Sequence, residues 1–219
     1  MKEGRKKQSQ PQSGCEEDAG YYYHMTLKTG RRIFADEVDK QQLLSIVDRH
    51  TLAYGCTVIG FVLLDDRLDL LVRTERMTIR PDRGMIRDIL EGFTDYFDER
   101  YHWPGRSADT LQEQVACYGV RDLDDAAECC RQMHNLPREE GYARTLQDYW
   151  WSSFQSYRGQ YQWSFVQPER ILHQFSDNDA EARKRFIRFQ KGSLSMLTAK
   201  KRRTRSKSEP KQTRKASGG

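Results

Sequence analysis

The apolar positions along the chain alternate between short runs with strand character and longer runs with helical spacing. Residues 21–28, YYYHMTLK, are dense in aromatic and extended-favouring side chains and predict a first strand, with Gly30 marking the turn after it. Residues 36–53 predict a helix. Asp36 is its N-cap, Asp39 adds an acid to the first turn, and Leu43, Leu44, Ile46, Val47 and Leu52 supply the apolar stripe. Residues 56–64, CTVIGFVLL, and the LDLLVR run from Leu68 predict a strand hairpin, with Asp65 and Asp66 in its turn. A second helix follows over 82–101, its stripe formed by Met85, Ile86, Ile89, Leu90, Phe93, Tyr96 and Phe97. Gly92 inside that stripe costs about 1 kcal/mol relative to alanine, which implies close packing there. After the WPGRS loop, residues 111–118 predict a fourth strand and 122–134 a third helix.

The order β-α-β-β-α-β-α contains the split-βαβ, ferredoxin-like plan, an α+β fold with an antiparallel sheet and two helices on one face. Such a plan hosts many functions and assigns none. An aromatic segment follows over 142–165. Its WWSSFQSY stretch, read as a helix, sets Trp150, Phe154 and Tyr157 on one face. Residues 179–190 predict a short basic helix. The expected organisation is an arm over 1–20, a ferredoxin-like domain over 21–135, an aromatic and helical extension over 136–192, and a basic tail over 193–219. Both the arm and the tail are expected to be disordered, because neither has an apolar pattern that could bury a core.

Charge changes the picture mainly at the C-terminus. The 219 residues are 37% hydrophobic and 32% charged, enough for a folded domain with a modest core. Against a net charge of +5, residues 200–215 hold nine basic side chains and one acid, Glu209, a local +8 that leaves −3 for everything before it. The basic residues include Lys200, Lys201, Arg202, Arg203 and Arg205. The tail therefore makes the protein basic, and the body would need a local patch to hold a polyanion. The five cysteines, Cys15, Cys56, Cys117, Cys129 and Cys130, form no CxxC, so their spacing supports neither a zinc knuckle nor a disulfide framework. No apolar run follows the basic N-terminus as a signal peptide requires, and none approaches membrane-spanning length. A cytoplasmic protein with no membrane partner is expected.

In several places the sequence resembles the REP-associated tyrosine transposases, a branch of the IS200-like single-strand transposases. YHMTLKTGRRIF looks like the family's YHVT-RGNNR-IF opening, and YGCTVIGFVLLDDRLDLLV looks like the strand pair that ends in MPNHVHLLV. CRQMHNLPREEG looks like CRYIHLNPVRAG, and DYWWSSFQSYRG looks like DYPWSSYRAYLG. ILHQFSDNDAEARKRFIRF looks like the C-terminal LLxxFxxDxxxARxxFxxF. The five pieces occur in the family's order across roughly residues 21–190. The resemblance implies a bacterial protein with a ferredoxin-like fold that binds a hairpin in single-stranded DNA. In the family, two histidines of a His-hydrophobe-His motif hold a divalent metal such as Mg²⁺ or Mn²⁺. A helical tyrosine then attacks the phosphate and becomes joined to DNA. The metal offsets charge on the phosphoryl oxygens, and the tyrosine supplies a nucleophile that can later leave.

This chain departs from that pattern at all three positions. The His-hydrophobe-His positions are Arg67, Leu68 and Asp69, and the tyrosine position is Gln132. A guanidinium has no acceptor for a cation, and an amide cannot form a phosphotyrosine-type intermediate. The expectation is therefore a chain with no catalytic residues, no cofactor and no metal, in which Arg67 and Asp69 form a salt bridge on the sheet. A rebuilt cation site from Asp65, Asp66 and Asp69 is a second reading of the same residues, with Tyr118 the nearest upstream tyrosine. His134 would make a helix-face or capping hydrogen bond, and His24 would face the same way as Tyr22, near Arg67.

Candidate phosphate contacts are Lys28, Arg31, Arg32, Arg67, Arg73 and Arg131, joined by the basic tail. These observations predict a non-catalytic, transposase-like nucleic-acid-binding protein, acting as a monomer or homodimer, whose partner is hairpin single-stranded DNA or RNA. Two other classes fit parts of the sequence. One is an active transposase with a non-standard site. The other is a protein-interaction module working through acids such as Asp122, Asp124, Asp125 and Glu128.

Overall fold

The computed structural model describes residues 21–75, 83–102 and 114–192. The expected arm, the WPGRS loop and the basic tail lie outside the described residues. Four strands form one sheet: β1 (Tyr21–Lys28), β2 (Cys56–Leu63), β3 (Arg67–Thr74) and β4 (Gln114–Val120). Their spatial order is β2-β3-β1-β4, with every ladder antiparallel. Helix α1 (Glu37–Ala53) connects β1 to β2, and α2 (Arg83–Tyr101) lies between β3 and β4 in sequence. This is the expected split-βαβ plan, and a helical extension follows it. Helix α3 (Leu123–Glu139) comes next, and in the extension α4 (Phe154–Arg158), α5 (Glu169–Phe175) and α6 (Asp179–Gln190) follow in turn, after a 3-10 turn at Leu146–Asp148.

Two helix layers enclose the sheet. On one side, α1 and α2 pack against each other where Gly92 brings them close: a Cβ there would stand 3.4 Å from Ile46 Cγ2. The conformational cost of that glycine thus secures the approach inferred from its position in the stripe. The Asp36 side chain caps α1 by accepting from Val38 N at 2.7 Å. Leu52, assigned to the α1 stripe, is exposed, and Thr51 takes the buried position, its hydroxyl donating to Val47 O. Asp39 lies in the first turn as expected and also joins α1 to α2. It is buried and accepts from Tyr96 and Tyr101 hydroxyls and from Arg100 Nη1 at 2.6 Å, tying α1 to the end of α2.

On the other side, α3 lies over the sheet. Asp122 caps it by accepting from Asp124 N and Asp125 N. The helix runs to Glu139, past the predicted end at 134, with Pro137 in its last turn. A Cβ on Gly60 would lie 2.9 Å from Cys130 Sγ, so only glycine lets α3 sit this close to β2. His134 is fully buried in α3. Its Nε2 lies 2.8 Å from Ser153 Oγ, and Ser153 Oγ also accepts from Phe61 N. One histidine-serine contact therefore joins helix, extension and sheet.

The WWSSFQSY stretch is helical only from Phe154, not from Trp150 as expected. Residues 150–153 pair along β2: Leu63 N donates to Trp151 O, and Ser153 N donates to Phe61 O. The helix begins at Phe154, so Phe154 and Tyr157 share a buried face while Trp150 points into solvent. Backbone pairing with an open strand edge overrides the local helical spacing here, since those strand groups would otherwise lack partners. Further on, Gln167 N donates to Val58 O and extends the same cover along β2. Tyr157 stacks on Phe186 of α6 at 4.3 Å between ring centroids, which fixes the last helix to the extension.

Candidate nucleic-acid interface

Strand alternation places Arg67, Asp69 and Arg73 of β3 on the face covered by α3, with Leu68 and Leu70 on the opposite side. In β1, Thr26 stands directly across from Asp69 and Lys28 directly across from Arg67. Thr26 and His24 of β1 and Arg67 of β3 form one polar network around Asp69, which is fully buried. Its Oδ1 accepts from Thr26 Oγ1 at 3.0 Å and from Arg67 Nη2 at 2.8 Å, and lies 2.9 Å from His24 Nε2. Its Oδ2 accepts from Arg67 Nε. A buried carboxylate costs several kcal/mol unless its lone pairs are satisfied, and these donors satisfy them.

The network fixes protonation. Burial favours the neutral acid at Asp69, but His24 and Arg67 outweigh it and hold the carboxyl below its usual range. Burial likewise disfavours charge on His24. The hydrogen bond to Asp69, helped by the nearby Cys129 thiol, overcomes that penalty and raises its pKa to about 9. His24 therefore carries a proton at neutral pH, and one carboxylate faces two cations.

The expected Arg67–Asp69 salt bridge is present. The alternative cation site from three carboxylates is not. Asp65 is turned away into a separate buried contact, where Lys40 Nζ donates to it at 2.7 Å and Arg32 also donates. Among the described residues, no three His, Cys, Asp or Glu side chains converge. A divalent metal does not fit the Arg67–Asp69 position: the guanidinium offers no lone pair, and the carboxylate already receives four hydrogen-bonding contacts. Gln132 lies exposed on α3, one turn after Cys129, with its amide 3.5 Å from Glu128 Oε1. Tyr118 is exposed on β4, in register with His24.

The six candidate phosphate contacts of the body fall in three places. Lys28, Arg31, Arg32 and Arg67 gather at one end of the sheet, because the loop after β1 is stitched to the β2–β3 turn. Thr29 N donates to Asp66 O, and Phe34 N donates to Asp65 O. Within this group Arg32 pairs with Asp65 and Arg67 with Asp69, whereas Lys28 and Arg31 are exposed and meet no carboxylate among the described residues. Arg73 lies six residues along β3 from Arg67, about 20 Å away. It is buried beside Glu75 and lines a surface pocket of about 380 Å³ with Tyr54, Gly55 and Thr57. Arg131 pairs with Glu128 and covers the Phe189 ring. Neither joins the first group.

The acids of α3 are largely engaged as well: Asp122 in capping, Asp125 with Arg121, and Glu128 with Arg131. Sequence reasoning missed Thr26 and Lys40, and it gave Asp39 no role beyond the first turn of α1. The register of β1 against β3 would have identified Thr26, since hydroxyls opposite a buried carboxylate are natural donors.

No helix among the described residues is long and apolar enough to cross a membrane. No protein-family model matches the chain, and no curated protein does. Among solved structures the chain is similar to a REP-associated tyrosine transposase bound to a REP hairpin. The TM-score is 0.50 with 13% identity, covering 73% of this chain and 98% of that one. A candidate transposase from Deinococcus radiodurans R1 also aligns, at a TM-score of 0.38 and 15% identity over 57% of this chain and 97% of that one. What the chain shares with the hairpin-bound transposase is the fold, an antiparallel four-stranded sheet with flanking helices.

Proposed function

We propose that this protein is a non-catalytic nucleic-acid-binding protein that recognises a structured single strand, hairpin DNA or RNA. The carrying observation is the Arg67–Asp69–His24 network. It puts hydrogen-bond donors and net positive charge on the sheet face where the resemblance expects metal ligands. Donors bind a phosphate and do not activate it as a metal does. The position resembling the nucleophile is an exposed glutamine amide. Lys28 and Arg31 add unpaired cations at the same end of the sheet, and the +8 tail adds affinity that selects no sequence. The fold shared with a hairpin-bound transposase supports a hairpin as the ligand.

The test is a titration of the full chain with a REP-type hairpin DNA and with its RNA counterpart. Binding is expected, with log affinity falling linearly against log salt concentration. Incubation with Mg²⁺ or Mn²⁺ is expected to leave no covalent protein–DNA band on a denaturing gel. No binding to either hairpin at low salt would overturn the reading. A covalent adduct would replace it with an enzyme.

A further inference from the structure

We propose that the Lys28 ammonium and the solvent-facing edge of the Arg67 guanidinium form a seat for one backbone phosphate of the bound strand, with Asp69 as the residue that positions Arg67. This inference rests on the nucleic-acid reading above and locates its contact. Lys28 and Arg67 are direct partners in the β1–β3 register, so their Cβ atoms stand about 4.5–5.5 Å apart on the same face. Like charges set opposite each other on a sheet destabilise it. Asp69 offsets only half of this pair: it binds Arg67 through Nε and Nη2 and also serves His24. No carboxylate among the described residues reaches Lys28. An anion bound between the two side chains would supply the missing counter-charge.

Geometry favours phosphate. Arg67 uses Nε and one Nη2 hydrogen on Asp69, which leaves the N–H groups of Nη1. The side chain keeps 19% of its surface exposed. A guanidinium clamped on one edge presents the other as a fixed fork, the arrangement that suits paired phosphate oxygens, while the adjacent ammonium adds a mobile point charge. Arg31, exposed and unpaired, stands three residues beyond Lys28, where a neighbouring phosphate would pass. Its backbone is held by Thr29 Oγ1 and Ile33 N, both donating to its carbonyl.

Asp66 and Glu140 also act electrostatically on Arg67 without bonding to it. They weaken the positive potential at a distance but leave contact-range donors intact. The seat therefore holds a phosphate that the rest of the interface delivers to it and does not attract any passing polyanion. The basic tail supplies that long-range attraction.

The experiment compares the full-length protein with Lys28→Gln and Arg67→Lys against a REP-type hairpin DNA, measuring affinity over about 50–200 mM salt. Lys28→Gln touches no described partner and relieves the like-charge pair with Arg67, so thermal melting at or slightly above that of the wild type is expected and shows that the fold is kept. One lost phosphate contact should lower the salt slope by about 0.9 for duplex DNA or about 0.7 for a single strand. Affinity at low salt should fall several-fold. Arg67→Lys keeps the charge but loses the fork, so affinity should fall with little change in slope. Hairpins carrying single neutral methylphosphonates then locate the contact. One position should weaken the wild type and make no further difference to Lys28→Gln. If the wild type binds but Lys28→Gln matches it in affinity, slope and methylphosphonate pattern, the seat is wrong and the nucleic-acid reading stands. If the wild type binds no hairpin, both fall.

Discussion

At the scale of single residues, two histidines hold opposite protonation states for reasons visible in their surroundings. His24, bonded to Asp69, has a pKa raised from 6.5 to about 9. The folded state binds this proton more tightly than the unfolded chain. Its contribution to stability is therefore complete below pH 6.5 and is lost as pH rises through 9. His134 is the reverse. Burial depresses its pKa to about 3, with a smaller opposing effect from Gln190. The unfolded chain takes up that proton below pH 6.5 while the folded protein refuses it, so stability falls as pH drops from 6.5 toward 3. Asp65 and Asp69, both held below their usual range, steepen the acid side below the ordinary carboxylate pKa near 3.8. Urea midpoints across pH should thus trace a dome whose histidine part peaks near pH 6.5. His24→Gln should flatten the alkaline limb between pH 6.5 and 9 and leave the His134 limb in place. An alkaline limb unchanged by His24→Gln would show that His24 is neutral in the fold. The pairing of Arg67 with Asp69 was legible from a spacing of two along a strand. His24 was placed near Arg67 by strand alternation, but its bond to Asp69 and the part of Thr26 were not legible, because both reach Asp69 from more than forty residues away.

At the scale of elements, apolar periodicity gave the order of strands and helices because each has one face or stripe to bury. Where backbone groups needed partners, periodicity misled. The WWSSFQSY stretch has helical spacing, yet residues 150–153 pair along β2 because that edge has donors and acceptors to satisfy. Close contact between elements was partly legible too. Gly92 was marked by its cost in a helix, whereas Gly60 gave no such signal within a strand. The structure makes Gly60 the more constrained of the two. Its missing Cβ would meet Cys130 Sγ at 2.9 Å and Ser153 Oγ at 3.4 Å, both on buried side chains. Gly60→Ala is expected to cost about 1–3 kcal/mol by forcing α3 or the Ser153 segment outward. Cys130→Ala in the same chain removes the nearer obstacle and should recover part of that loss. Denaturant unfolding of the two single variants and the double variant measures the coupling; strictly additive losses would place the strain elsewhere.

At the scale of the whole molecule, the proposed binding divides between charge and fold. The body before residue 200 sums to −3, and four of its six candidate phosphate contacts, Arg32, Arg67, Arg73 and Arg131, are paired with acids. Residues 200–215 carry +8. Removing residues 200–219 should therefore lower affinity for every polyanion and reduce the salt slope by several units. Preference for a hairpin over an unstructured strand of equal length should survive, because discrimination belongs to the body. Filter-binding competition between the two strands tests this, and loss of preference together with the tail would move recognition to the C-terminus.

The covered β2 edge has a consequence for assembly. A sheet with two open edges can add copies at both and grow without limit, whereas a sheet with one can only close. Here Leu63, Phe61 and Val58 already spend their outward backbone groups on residues 151–167. Among the described residues β4 is the other outer strand, with Gly119 and Tyr118 exposed along it. Two chains meeting there about a two-fold axis would form one continuous eight-stranded sheet with both ends sealed. Among the described residues, the segment that fills the gap beside β2 thus leaves β4 as the edge on which strand pairing between copies would close a pair and not extend a fibre.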